Sequence, residues 1–482
     1  MLIASTLLAL SLSLSASASL AHSHLTSPRR SHEALTRRGG RPHKRCSIKP
    51  TTPVLTSEPA PTSAPIPTST STPGSEGGAS GGSVTLSRGI PSEGIRGVNL
   101  GAWFVFEMYM AYDEWQSMGG HTDGCDAEFE LTGRLGQDAA DAAFKTHWDT
   151  WITQDDVALM KKYNLNSVRI PIGFWIIEST VNADETYPRG GLEFLKRGCK
   201  WLREAGISVL LDLHAAPGAS SPHQTFAGRC VDTPGFWGNQ DNIDRHVKAG
   251  TELMRLVHTD PDSFGSVYGM EVLNEPPNDA GASPGYQDFL QQFVNAVRGV
   301  EDDLNIPQDE RLTMVFMDIS WQYGDGKANP ATIESGGNAY DKHTYFNWGP
   351  PGGPQGSAGH SLDEHVSFVC NGDAGQIAAD AQQNNTPLFK GEWWLLPSNK
   401  ADNSGPVFDL WDKDSVRRFG DAQKRGFSPD GGMGGAGYYF WSWKMTNSDG
   451  DGLNHMRSYK DAVAGGWMHE DAAQYFNPNG GC

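Results

Sequence analysis

The chain is expected to fold as an α/β protein, a (β/α)8 TIM barrel preceded by a long N-terminal stretch with no core of its own. Three observations carry this. From residue 88 to residue 482, eight short apolar runs alternate with amphipathic stretches of helical period, the beat of parallel strands joined by helices. Polar and charged residues gather at the ends of those runs, where a barrel's loops carry chemistry. Residues 22–87 hold few large apolar side chains and cannot bury enough surface to offset the entropy of ordering.

The N-terminal stretch divides into three parts. Residues 1–21 contain an apolar run from Leu2 to Leu14 and then small residues, with Ala16-Ser17-Ala18 and Ser19-Leu20-Ala21 as candidate cleavage sites. The run is too short to span a bilayer and reads as a secretory signal peptide. Residues 22–45 are basic, with the dibasic pairs Arg29-Arg30, Arg37-Arg38 and Lys44-Arg45. They read as a propeptide, the other reading being a solvated arm kept in the mature protein. Residues 46–87, rich in Ser, Thr, Pro and Gly, read as a disordered linker open to O-glycosylation. The mature protein is therefore expected outside the cell or in its wall, as a monomer.

Fifty-seven acidic residues against 38 basic ones give a net charge of −19, which repels phosphate. Nucleic acid and anionic membrane are thus not expected as partners. The 15 Trp and 13 Tyr residues suit a cleft that stacks the apolar faces of sugar rings as well as a core. Cys46, Cys125, Cys199, Cys230, Cys370 and Cys482 permit disulfides in a secreted chain, and the sequence leaves their pairing open. Cys199, in a helical stretch, equally suits a buried thiol.

The predicted strands are Ile95 to Gly101, Ser167 to Ile172, Ser208 to His214, Ser266 to Asn274, Leu312 to Asp318, Ala339 to Tyr345, Pro387 to Gly391 and Ala436 to Trp443. Helices are expected from Ile152 to Tyr163 and from Leu192 to Ala205, and the stretch from Glu107 to Trp148 is an insertion. The fourth strand closes on Asn274-Glu275-Pro276-Pro277. The prolines cannot extend a sheet, so they hold the carboxylate rigidly at the strand's end. The seventh strand ends in Lys390-Gly391-Glu392-Trp393. Across a barrel mouth these strand ends face each other, so the two carboxyls can flank one bond. A separation of about 5–5.5 Å supports a retaining glycosidase, and a wider gap leaves room for water and inversion.

Arg169, ending the second strand, is expected to keep Glu392 ionised; Glu275, beside that negative charge, is expected to hold the proton. Asn274 can donate to the sugar 2-hydroxyl. His214, His343, Tyr345 and Trp441 are further candidates. Duller readings stand beside these: Arg169 paired with a structural carboxylate, His214 in the core, His343 and Tyr345 packing on one face, and Trp441 and Trp443 sharing a face so that one floors the cleft while the other packs. Asp212, His214 and His343 lack compact ligand spacing, so no metal is expected. Nor is any other cofactor.

Several segments together resemble glycoside hydrolase family five. They are Arg96 to Gly101 with Trp103, His147 to Thr150 with Ile152-Thr153, Val168 to Gly173, Asp212 to His214 followed by Ala216-Pro217-Gly218, and Asn274-Glu275-Pro276. The resemblance covers nearly all of residues 88–482. It implies Glu275 as acid/base, Glu392 as nucleophile, and Arg169, His214, Asn274, His343, Tyr345 and Trp441 around the first sugar subsite. Glu107 matches a carboxylate that holds hydroxyls of the terminal glucose in the related fungal exo-β-1,3-glucanases. Phe316-Met317-Asp318, Trp321, Gly324-Asp325, Asp341 to Trp348 and Ser367 to Cys370 are more similar to the secreted fungal β-1,6-glucanases. Met108 stands where both branches usually have Pro, and Trp394 where Ser is common.

The expected activity is therefore retaining hydrolysis of β-glucan, β-1,6-linked first, with exo-β-1,3-glucanase action as the alternative. A wall protein that binds carbohydrate without cleaving it is the reading from another class, and the presence of both carboxylates and their companions weighs against it. Asn384-Asn385-Thr386 is a candidate N-glycosylation site.

Overall fold

In the computed structural model the residues described are 89–277, 281–317, 337–348, 361–373, 387–399, 405–429, 435–446 and 452–482. The expected signal peptide, basic segment and linker, Cys46, Asp318, Trp321, Gly324-Asp325 and the Asn384 sequon lie outside them. Among the described residues no helix is long and apolar enough to cross a membrane.

Eight strands form a closed parallel barrel: β1 (Ile95–Asn99), β2 (Ser167–Gly173), β3 (Ser208–Ala215), β4 (Val267–Glu271), β5 (Thr313–Met317), β6 (Asn338–Thr344), β7 (Leu388–Trp393) and β8 (Gly437–Phe440), which pairs back on β1. Helices Gln154–Lys162, Gly191–Ala205, Gln240–Thr259, Tyr286–Asp303 and Lys413–Phe427 return the chain between strands. Local chemistry sets their ends. Thr153 and Asp156 form a capping box on the first of these, Asn239 and Asp412 cap two others, and Gly206 ends Gly191–Ala205 at φ +77°. The barrel is the fold the sequence predicts, with shifted boundaries. Strand β4 stops at Glu271, short of Asn274, and β8 at Phe440, while β7 runs past Gly391 to Trp393.

The barrel axis is filled in two storeys. At the bottom, Ile95, Leu210, Tyr268, Val315, Ala339, Phe389 and Tyr439 pack as an apolar plug. The Tyr439 hydroxyl is satisfied there by Tyr268 and Ser167, both at 2.8 Å. Above it lies a charged storey. Alternation along β3 (Leu210, Asp212, His214) and β6 (Ala339, Asp341, His343) turns the polar members toward the axis. Register sets Asn99 level with Arg169, Asp212 with Glu271, and His343 with Glu392. Gly391 is glycine for a steric reason. Its backbone N–H donates to Asp341 at 2.7 Å, and a Cβ there would collide with that carboxylate.

The insertion from Glu107 to Trp148 is largely helical, with Tyr112–Ser117, Glu128–Leu135 and the start of Gln137–Trp151. Cys125–Cys230 ties it to the connection after β3, and Cys370–Cys482 anchors the chain end. Cys199 is a buried free thiol, the second of its two expected roles.

Candidate active site

Arg169 is the centre of the charged storey. It is fully buried, and its guanidinium donates to Glu271 at 2.7 Å through Nε, to Glu392 at 2.9 Å and Asn99 at 3.0 Å through Nη1, and to Asn274 at 2.9 Å through Nη2. Asp212 lies 2.9 Å from Nη2 and Asp341 3.5 Å from Nε. Arg169 thus meets structural carboxylates and Glu392 at once, so the two sequence readings of it both hold. Burial opposes its charge, but Asp212, Glu271 and Glu392 outweigh burial and hold the guanidinium protonated.

Glu392 accepts on both oxygens. Arg169 reaches Oε1, and the Tyr345 hydroxyl reaches Oε2 at 2.6 Å, with His343 Nδ1 at 3.4 Å from the same atom. Arg169 favours the charged form of Glu392, as expected, but burial weighs more. Burial raises the proton affinity of Glu392, His343 and Arg169 pull it back, and Glu275 adds to the rise, leaving it above the ordinary carboxylate range.

Glu275 sits in the turn beyond β4 rather than on the strand itself. Its backbone takes a left-handed φ of +37°, which L side chains rarely adopt. Ser221 Oγ donates to its carbonyl at 3.0 Å, and its carboxylate pairs with His343 Nδ1 at 2.6 Å. His343 therefore touches both glutamates. A carboxyl oxygen of Glu275, one of Glu392 and a ring nitrogen of His343 lie within 4.8 Å of one another. Burial disfavours charge on His343, but Glu392 and Asp341 more than offset this and hold it well above the usual imidazole range as a cation. Glu275–His343–Glu392 and Glu271–Asp341–His343 are the acid–histidine groups compact enough for a metal ion among the described residues. Both contain His343.

An open cleft above these groups is lined by Glu107, His214, Asn274, Glu275, Tyr345, Glu392 and Trp441 of the predicted site, while Arg169 and His343 lie beneath. His214 bonds Asp212 at 2.5 Å and stacks on Trp441 with ring centres 6.1 Å apart, so it belongs to the cleft wall. Trp441 donates to the Tyr109 hydroxyl at 2.8 Å, whereas Trp443 is buried against Asp156, which answers which of the two faces inward. Burial first, then Glu392 and Glu275, pushes Glu107 well above the carboxylate range, making it a neutral donor as well as an acceptor.

Tyr109, Gln224, Thr225, Phe226 and Trp394 also line the cleft and escaped sequence reading, apart from Trp394, noted only as a departure. Trp394 stands edge-on to Tyr345 at 4.7 Å and donates to Asn347 at 2.7 Å. Met108 does not line it. Glu271 was also missed, although an acid inside the apolar run Val267 to Leu273 must find a buried cation.

Glu128 supports Glu107 from behind by accepting the Phe106 N–H at 2.8 Å. Burial pushes its carboxyl from 4.5 up to about 8, against the pull of that N–H. The folded state therefore binds this proton more tightly than the unfolded chain. The contribution is complete below pH 4.5 and lost as pH rises through 8. Glu128→Gln should lose less stability than wild type between these values, the difference being at most about 1.4 kcal/mol per pH unit. Urea melts across that range check this, and parallel profiles for the two proteins would contradict it.

The cellulase model of glycosyl hydrolase family 5 matches residues 135–416. A probable glucan endo-1,6-beta-glucosidase B of Neosartorya fischeri is 35% identical over 380 residues, 78% of this chain and 87% of that protein. A probable glucan 1,3-beta-glucosidase A of Aspergillus fumigatus is 29% identical over 389 residues, 74% of this chain and 84% of the relative. Rutinosidase from Aspergillus niger shares the fold, with a TM-score of 0.57 at 16% identity over 78% of this chain and 97% of that one. With a family match across more than half its length, the chain is a glycosidase and belongs to glycosyl hydrolase family 5.

Proposed function

We propose that this protein is a secreted, retaining β-glucan hydrolase whose preferred polymer is β-1,6-glucan. The observation that carries the reading is the approach of Glu275 and Glu392 to within 4.8 Å, since a pair roughly 5–5.5 Å apart leaves no room for a water between carboxyl and sugar. Glu275, the more exposed of the two, gives its proton to the glycosidic oxygen as that bond breaks, while Glu392 attacks the anomeric carbon and forms a glycosyl ester. Glu275 then takes a proton from water as the water cleaves the ester, regenerating both carboxyls. His343 steadies both acids, Tyr345 and Arg169 aim Glu392, and Asn274, held by Arg169, meets the 2-hydroxyl. His214, Trp441 and neutral Glu107 bind the sugar in the first subsite.

Preference for the β-1,6 linkage is supported by the names and higher identity of the endo-1,6 relatives against the 1,3 relatives. Secretion is supported by the two disulfides. Residues 1–21 as signal, 22–45 as propeptide, 46–87 as linker and 88–482 as catalytic domain complete the proposal, with the enzyme acting as a monomer. Purified enzyme offered pustulan and laminarin in parallel should release sugar faster from pustulan. Release from laminarin alone would replace the β-1,6 reading with the β-1,3 one, and release from neither would favour a binding protein.

A further inference from the structure

Among the described residues the large apolar side chains left exposed are Trp411 at 61% and Phe476 at 39%. Trp411 is exposed yet ordered. Its ring lies on His455 with centres 4.4 Å apart, and His455 lies in turn on the buried Trp467, also at 4.4 Å. The backbone beneath is pinned as well. The Trp411 N–H donates to Asp409 at 2.9 Å, His455 Nε2 bonds the Leu410 carbonyl at 3.2 Å, and Asp412 caps the helix that follows. With one face covered by His455, an exposure of 61% leaves the opposite face to solvent. Holding so large an apolar face in water gains nothing for folding.

The position of this stack ties it to the cleft. Trp411 lies in the connection from β7 to helix Lys413–Phe427, and His455 in the connection that follows β8. In a parallel barrel both connections lie at the carboxyl face, with the catalytic groups. Trp394, at the start of the first connection, lines the cleft, and Arg457, next-but-one after His455, sets its guanidinium 5.5 Å from the Trp394 ring. The connections that follow β7 and β8 thus carry both the Trp394–Arg457 pair at the cleft and the Trp411–His455 stack. The chain's charge of −19 and the exposed Asp409, Asp412 and Asp414 disfavour an anionic ligand and suit a neutral polyhydroxyl one.

We propose that Trp411, backed by His455 and Trp467, is a stacking platform outside the catalytic cleft that grips a distant sugar of a polymeric glucan chain. This rests on the reading of the enzyme as a β-glucan hydrolase. The platform engages only chains long enough to reach the rim, so it lowers the concentration of polymer needed without touching the chemistry.

The test compares wild type, Trp411→Ala and Trp411→Phe on the polymer that wild type cleaves and on a short gluco-oligosaccharide from it. Trp411→Ala should raise KM for polymer by roughly five- to tenfold, the loss of one ring contact, with kcat and the short substrate unchanged. Trp411→Phe should restore much of the difference. Equal KM values on polymer, or the same loss on both substrates, would overturn the proposal. Migration through native gels containing pustulan or laminarin separates this from the catalytic reading. Should wild type cleave neither glucan, that reading fails, yet retardation of wild type and not of Trp411→Ala would still support the platform, and equal migration of the two would refute it.

Discussion

Replacing Glu392 by Gln is expected to lower kcat on β-glucan by roughly 10,000-fold or more, the scale seen when a covalent nucleophile is removed. An amide cannot form the glycosyl ester, and among the described residues the nearby carboxyls have other places. In the proposed mechanism Glu275 is the proton donor and Glu107 binds sugar hydroxyls, and Asp212, Glu271 and Asp341 are buried beneath around Arg169. The fold should tolerate the change. Gln keeps the shape and an oxygen for Tyr345 or Arg169, and one fewer acid crowds a guanidinium that already has three others nearby. Steady-state rates with a thermal melt of the same protein check both halves. Turnover within tenfold of wild type would remove Glu392 from the chemistry.

Arg169→Met should instead act on stability. The substitution keeps an unbranched, buried side chain but withdraws the cation that faces Glu271, Glu392, Asp212 and Asp341. Part of the resulting strain is relieved by protonation, since burial already drives Glu271 far above the carboxylate range despite the pull of Arg169. Breaking such a buried network from one side typically costs about 3–5 kcal/mol. Asn99 and Asn274 also lose their donor, so the geometry of the proposed first subsite goes with it. Urea denaturation should show the loss, smaller in mildly acidic buffer where the stranded acids hold protons. A melt equal to wild type would mean that the acids around Arg169 are neutral throughout.

The barrel was legible because its strands are apolar runs of strand length separated by helical periods, and the two glutamates because Glu275 follows such a run in a proline-bound turn while Glu392 stands after Gly391 at the end of β7. Gly391 had a reason invisible in one dimension, the Asp341 carboxylate occupying the place of a Cβ. Strand ends moved because a strand stops where its last ladder bond is made; Val272 still donates to Val315, and beyond it the chain turns. The pairing Cys125–Cys230 was not readable, since it joins segments separated by 105 residues in sequence that meet only when the connections after β1 and β3 converge. Tyr109, Gln224 and Phe226 were missed for the same reason, as loop residues carry no periodic signal. His343 was readable as a candidate, but not as the shared partner of both glutamates, because that depends on the register of β6 against β7.

Glu275 and Glu392 are proposed to act on one glycosidic bond, with Glu392 making the covalent link. Inactivation by an activated 2-deoxy-2-fluoroglucoside, followed by digestion and mass spectrometry, checks this, because the fluorine slows both steps while the activated leaving group restores formation of the ester, which then accumulates. One sugar per chain is expected, on the peptide that carries Glu392. A label on any other residue, or time-dependent turnover without a covalent adduct, would contradict it.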